Sequence, residues 1–217
     1  MKDLESLRGK RLGCHCKPNL ACHGDVLVEL LERKKMRKII FAGIGSRNGV
    51  PDFILKVMEE IGYRMARAGH LLRSGAAESS DSAFESGCDR ANGAKEIFLP
   101  WKLFNKHLSP FYNPPKQAFE MAAKFHPAWN NLTDAVKKLM SRNTQIVLGK
   151  NLDEPAEVVL CWTYQVQLIG GTAMALRLAE SKGIPIINLA AELKEEVSIL
   201  GATSQIKETL KETLGKD

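Results

Sequence analysis

Five short apolar runs alternate along this chain with segments of helical periodicity, and that alternation leaves few architectures open. The runs are Lys38–Ala42, His70–Arg73, Lys95–Leu99, Glu157–Cys161 and Pro185–Asn188. They are brief, apolar and rich in β-branched residues, as strands buried on both faces are. Between them, Ile54, Val57, Met58, Ile61 and Met65 recur at helical spacing, and Leu132, Ala135, Val136, Leu139 and Met140 repeat it. Thr172–Lys182 reads as a third helix, packing Met174 and Leu178. Strands separated by helices point to a parallel sheet. The expected fold class is α/β: a doubly wound, mostly parallel five-stranded sheet with helices on both faces.

Two stretches stand outside this alternation. Residues 1–36 form an expected appendage, with a Cys/His-rich turn from Cys14 to Gly24, a helical stretch after Asp25 and a basic run at Arg33–Lys38. A solvated linker explains that run better than a nucleic-acid contact does. Residues 37–217 are the main domain. Inside it, Pro100–Pro127 is rich in proline and aromatics and reads as a loop with one short helix near Lys116–Lys124, a wall or lid over the site. The tail places Ile206, Leu210 and Leu214 on one helix face. That stripe is expected to dock on the domain or across a homodimer.

Two glycine-marked strand ends carry the functional expectation. Gly43-Ile44-Gly45-Ser46-Arg47 closes the first run, and Trp162-Thr163 closes the fourth, followed by Gly170-Gly171-Thr172 at the start of a helix. Glycine admits close backbone approach, and a helix N-terminus presents free N–H groups to an anion. In open parallel sheets, ligands bind beyond the carboxyl ends of the strands where strand order reverses. Arg73-Ser74-Gly75 ends the second run and joins the same edge. Arg47 and Arg73 suit bidentate recognition of phosphate, with surface ion pairing as the alternative. Asp81 and Glu85, at i and i+4, are the candidate catalytic carboxylates, holding a ribose or serving as general base; charge complementation of their helix is the alternative. Trp162 is the aromatic placed to meet a base. Trp101, Trp129 and His126 read as structural, and Asn143, on the apolar stripe of its helix, as a brace.

The chain has 217 residues, 44% hydrophobic and 26% charged, with a formal net charge of +6. Those values suit a globular protein with phosphate-bearing partners. No apolar stretch approaches the roughly 20 residues of a membrane helix, and no apolar h-region follows Met1–Glu5. A cytoplasmic setting without membrane partners is expected. Five cysteines, an odd number, argue against a disulfide framework. Cys14, Cys16, Cys22 and His23 are the residue types that hold tetrahedral zinc. The Cys-x-Cys spacing leaves a turn of reduced thiols as the competing reading, and no cofactor is required by the rest of the chain.

The motifs Ala42–Arg47, Leu72–Gly75, Ala83–Glu85, Leu99–Trp101, His126–Trp129, Arg142–Asn143, Cys161–Thr163 and Gly170–Thr172 occur in order, and Lys38–Asn188 resembles the SLOG superfamily through them. That group of Rossmann-like domains includes DNA-processing protein A and the "Lonely guy" nucleotide phosphoribohydrolases; the resemblance is to a phage and bacterial branch. It implies a Rossmann-like fold, a nucleotide ligand and, for a phage-encoded chain, the host cytoplasm. Two departures stand out. Glu78 brings negative charge into the turn after Ser74-Gly75-Ala76-Ala77. No acid follows Gly170-Gly171-Thr172 where the phosphoribohydrolases carry their catalytic glutamate. Separately, Leu7–Leu27 resembles the end of a small Cys/His-containing, phage-associated domain of unknown function and reads as a remnant of it.

The expected function is binding of a nucleotide or nucleotide-derived phosphoribosyl ligand at the carboxyl edge of the sheet, with action on its N-glycosidic bond left open. The alternatives are a DNA-binding accessory protein of the DNA-processing type and a non-catalytic nucleotide sensor or sequestering protein.

Overall fold

The strand runs become β1 (Ile40–Gly45), β2 (Leu71–Ser74), β3 (Lys95–Leu99), β5 (Val158–Trp162) and β6 (Ile186–Asn188), with a two-residue β4 at Phe111–Tyr112. The computed structural model describes residues 7, 10, 24, 27, 37–167, 170–193 and 198–215. All strand pairings among them are parallel, in the order β4-β3-β2-β1-β5-β6. The doubly wound α/β class therefore holds, with six strands rather than five. The extra strand falls inside the proline-rich stretch read as loop. Two residues between Pro110 and Asn113 are too few to show a periodicity, and only pairing with Phe98 and Leu99 makes them a strand.

Among the described residues after Ile39, the α-helices are α1 (Asp52–Arg67), α2 (Ser80–Arg90), α3 (Lys116–Phe125), α4 (Asp134–Leu148), α5 (Gly170–Ser181), α6 (Leu189–Glu192) and α7 (Ile199–Leu214). Strand alternation sends Phe41, Leu72, Val158 and Leu160 to one face, where Val57, Met58 and Ile61 of α1, Phe84 of α2 and Ile206 of α7 cover them. Ala42, Ile44, Val159 and Cys161 point to the other face, under Ile146 and Val147 of α4 and Ala175 and Leu178 of α5. The tail stripe docks within its own chain: Ile206 is fully buried, Leu210 nearly so, and Leu214 packs at the edge of the same cluster. Ser198 caps α7, its hydroxyl accepting from the Gly201 N–H at 3.1 Å.

The chain divides into two compact units, the first ending at Lys38 and the second beginning at Ile39. In the first, the Lys10 N–H donates to the Leu7 carbonyl at 3.1 Å, and Gly24 and Leu27 are helical. The zinc candidates Cys14, Cys16, Cys22 and His23 lie outside the described residues. Among the described residues, no His/Cys/Asp/Glu group could hold a metal, and no helix is long and apolar enough to cross a membrane.

Two backbone positions near the sheet edge are strained. In the β2–α2 turn, Ala76 has φ 54° and Ser79 has φ 75° with ψ −110°, conformations that favour glycine. Ser79→Gly is expected to raise stability by about 0.5–1 kcal/mol, relief of strain exceeding the added chain entropy; a lower denaturant midpoint would show that the serine side chain holds the turn. Burial pushes the Cys88 thiol up to about 11 and the Cys161 thiol up to about 12. Both should resist a thiol reagent at pH 8 until the protein unfolds, measured by mass per modified peptide. Because the described residues of all four hydrophobic clusters lie at or after Ile39, removal of residues 1–36 should leave a cooperative thermal transition; aggregation or a broad transition would overturn that.

Candidate functional site

Strand order runs outward from β1 through β2, β3 and β4, and in the opposite direction through β5 and β6. The reversal falls between β1 and β5, and a cleft of about 340 Å³ opens there. Its walls come from four places: Ile44–Asn48 at the end of β1, Ala77 and Asp81 at the start of α2, Leu139, Met140, Arg142 and Asn143 of α4, and Gly171–Thr172 at the start of α5. Each is fixed by hydrogen bonds that use up local backbone groups. The Ser46 N–H donates to the Trp162 carbonyl at 3.0 Å, and the Ser46 carbonyl accepts from the Ser80 hydroxyl at 3.0 Å. Thr172 Oγ1 donates to the Gly45 carbonyl at 2.9 Å, tying α5 to β1. Asn143 Nδ2 donates to the Gly171 carbonyl at 3.0 Å, so Asn143 braces the helix start as expected and also lines the cleft.

Beneath the cleft lies a buried ion pair. Arg142 Nη1 stands 3.2 Å from Asp81 Oδ2, and each residue is 3% exposed. The same carboxylate oxygen accepts the Ala77 N–H at 3.3 Å. Arg142 reaches this position because residue 75 is glycine: a Cβ there would sit 1.4 Å from Arg142 Nη1. The Phe104 ring lies 5.8 Å from the guanidinium carbon, within cation–π range. Arg142 Nε is buried and has no hydrogen-bond partner among the described residues. An unmet charged donor of this kind is costly unless something completes it. Burial raises the Asp81 carboxyl above the usual aspartate range, against the pull of Arg142, the Ala77 N–H and Arg47. Burial also lowers Arg142, which nonetheless stays charged. Arg47, exposed at the mouth, makes no hydrogen bond or ion pair among the described residues.

The expected site residues separate into those that meet and those that do not. Gly45, Ser46, Arg47, Asp81, Gly171 and Thr172 line the cleft, and Gly170 opens α5 beside it. Gly43 does not: it lies inside β1, where a Cβ would meet Phe84 and Leu72 within 2.9 Å, so its role is close packing of α2 on the sheet. Arg73 is turned by strand alternation to the α4 face. It is fully buried, with Nε 2.6 Å from Glu96 Oε2 and its terminal nitrogens on Glu154. Ser74 donates to the Gly43 carbonyl at 2.7 Å, and Thr163 pairs with Asn188 at 2.8 Å; both are braces. Trp162 packs in the core under α1, its ring 6.5 Å from Tyr164. Glu85, one helical turn of about 5.4 Å beyond Asp81, is held by Lys95 Nζ at 2.7 Å and His107 Nε2 at 2.6 Å, away from the cleft. Trp101, Trp129 and His126 are structural as expected: Trp101 stacks edge-on against Phe104, Trp129 joins a cluster with Met140, and His126 Nδ1 accepts the Ala128 N–H.

Arg142 is a charged residue of the cleft that the sequence analysis does not place there. The signal was present, since Arg142 continues the Ala135, Leu139 row of α4 toward the buried Ile146, and a cation on an apolar stripe needs a partner.

Residues 1–33 match the family described as Domain of unknown function (DUF4326), on the stretch read above as a Cys/His-containing domain of unknown function. Over 30 residues the chain is 57% identical to an uncharacterized 12.4 kDa protein in the nrdA-td intergenic region of Enterobacteria phage T4. That match takes in 14% of this chain and 27% of the phage protein, so the chain spans about a quarter of this relative's length. Among solved structures, the Chlamydomonas rheinhardtii Moco carrier protein is 17% identical, with 81% of this chain and 99% of that one covered and a TM-score of 0.47. The molybdenum cofactor binding protein of the phototrophic bacterium Rippkaea orientalis is 19% identical over 82% and 88%, at 0.48. DNA processing protein A of Streptococcus pneumoniae is 16% identical over 84% and 58%, at 0.44. Likenesses of this size carry no information on ligand or reaction.

Proposed function

We propose that this protein binds a phosphate-bearing small molecule, a nucleotide or nucleotide-derived phosphoribosyl compound, in the cleft between β1 and β5. The observation that carries the reading is the pair of guanidinium groups: among the described residues, Arg142 is buried with an unmet Nε, and Arg47, exposed at the mouth, makes no hydrogen bond or ion pair. Two guanidinium forks and the N–H groups at the start of the twelve-residue α5 make a receptor for an oxyanion. A volume of about 340 Å³ lies at the small end of the range of roughly 300–1,000 Å³ for ligand pockets, which suits a mononucleotide or sugar phosphate. Three of the motifs shared with the SLOG pattern, Ala42–Arg47, Arg142–Asn143 and Gly170–Thr172, supply its walls. Among the described residues of the lining, Asp81 is the one carboxylate. Turnover at an N-glycosidic bond would therefore use Asp81 as its acid–base group, with Glu85 outside reach.

Mass spectrometry of small molecules released from the purified protein, followed by calorimetric titration with nucleoside mono- and diphosphates and ribose 5-phosphate, tests this. Arg47→Ala should weaken binding about ten- to a hundredfold, the loss of charge-assisted hydrogen bonds worth about 1.5–3 kcal/mol. Gly171→Asp places bulk and negative charge at the mouth, where the nearest atom is the mobile Met140 Cε at 2.9 Å; binding should vanish with the thermal transition retained. Unchanged affinity in both variants would place the ligand elsewhere. Salt-steep binding of single-stranded DNA, with no response to nucleotides, would favour the DNA-binding alternative.

A further inference from the structure

We propose that the cleft takes up a proton together with its anion, and that Asp81 is the group that receives it. The inference rests on the phosphate reading above and concerns how that site accommodates a second negative charge.

Arg142 is the cation that an incoming phosphate must share. It already serves Asp81 through Nη1 at 3.2 Å, a long contact for a charge-assisted pair, while its Nε remains unmet. Both residues are 3% exposed, so water cannot screen a second anion brought against them. Two anions sharing one buried site do not both stay charged; one takes a proton. Asp81 is the group placed to do so. Its Oδ2 gathers both the Arg142 contact and the Ala77 N–H, and no hydrogen bond to Oδ1 is formed among the described residues. Protonated, Asp81 becomes a donor toward the ligand, and Arg142 is released to the phosphate.

The charges around Asp81 support this assignment. Arg142 approaches from α4 and Arg47 from the end of β1; both favour the ionised carboxylate until an anion engages them. On α2 itself, Glu85 is occupied by Lys95 and His107. Glu59 and Glu60 of α1 pair with Arg90 at the far end of α2. Arg73 of β2 is committed to Glu96 and Glu154. Glu78, in the turn before α2, is exposed and is not part of the cleft lining. No cation besides Arg47 and Arg142 lines the cleft among the described residues, and of the two only Arg142 is buried.

The test is calorimetric titration of the full chain with ribose 5-phosphate at pH 7.0, in buffers of low and high ionisation enthalpy. With a second phosphate pKa near 6, about nine-tenths of the free ligand is dianionic there, so a ligand that stays dianionic when bound takes up only about a tenth of a proton itself, while one bound as the monoanion takes up about nine-tenths; Asp81→Asn separates the two. The expected result is uptake of at least about half a proton per ligand bound. Affinity should correspondingly fall with rising pH, by at most about tenfold per unit for one full proton. Asp81→Asn, which stands in for the neutral carboxyl, should abolish the uptake and bind at least as tightly as the native chain at pH 8. Binding without proton uptake overturns this inference and leaves the phosphate site standing. A loss of affinity of tenfold or more in a folded Asp81→Asn variant also overturns it, by showing the carboxylate to be an acceptor for sugar hydroxyls. Absence of binding by ribose 5-phosphate and by nucleoside mono- and diphosphates overturns both. If Asp81→Asn fails to fold, the phosphorus NMR shift of ribose 5-phosphate bound to the native chain decides: a bound dianion together with proton uptake supports Asp81 as the acceptor, and a bound monoanion overturns it.

Discussion

The reversal of strand order between β1 and β5 is the constraint on which the rest of this structure depends. A chain that winds outward in both directions from its central strands leaves a gap above their carboxyl ends that neither set of crossovers closes. Here the gap is roofed by the starts of α2 and α5 and by the middle of α4, three elements far apart in sequence. Their meeting is secured by small polar contacts, Ser80 to Ser46, Thr172 to Gly45 and Asn143 to Gly171. None of these is strong alone. Each satisfies a partly buried backbone carbonyl, which is why the walls hold while the space between them stays open.

The Arg142–Asp81 pair converts that gap into a polar site. A buried ion pair contributes little net stability, because desolvation offsets most of the attraction. Its presence under a cleft is better understood as chemistry held in readiness: a cation with an unmet nitrogen, and a carboxylate whose charge depends on what else occupies the site. The Arg73 cluster, also on the α4 side of the sheet, is the instructive contrast. It too is a buried arginine, but two glutamates and a carbonyl satisfy it. Saturation makes Arg73 structural; the unmet Nε makes Arg142 available.

Much of this was legible before the structure. The strand runs and the periodicities of α1, α4 and α5 were all correctly typed, because a strand buried on both faces and a helix with one apolar stripe leave different patterns. Strand ends were less visible: β1 continues through Gly43 to Gly45, past the point where its composition looks like a turn. The site was legible in part. Gly45–Arg47 and Gly171–Thr172 were placed by topology and met as expected. Arg73, Ser74, Trp162 and Thr163 sit near the right edge, but their side chains face inward.

What the sequence determined by itself is the class of fold and the edge of the sheet at which a ligand is to be sought, since both follow from local periodicity and from the general behaviour of parallel sheets. What only the tertiary structure decided is which charged side chains share that edge. The glycine at position 75 leaves room for a guanidinium delivered from α4, 67 residues further along the chain. One turn of α2 separates a carboxylate in the cleft from one committed elsewhere. Such distinctions depend on contacts between distant segments, and no local pattern in the chain encodes them.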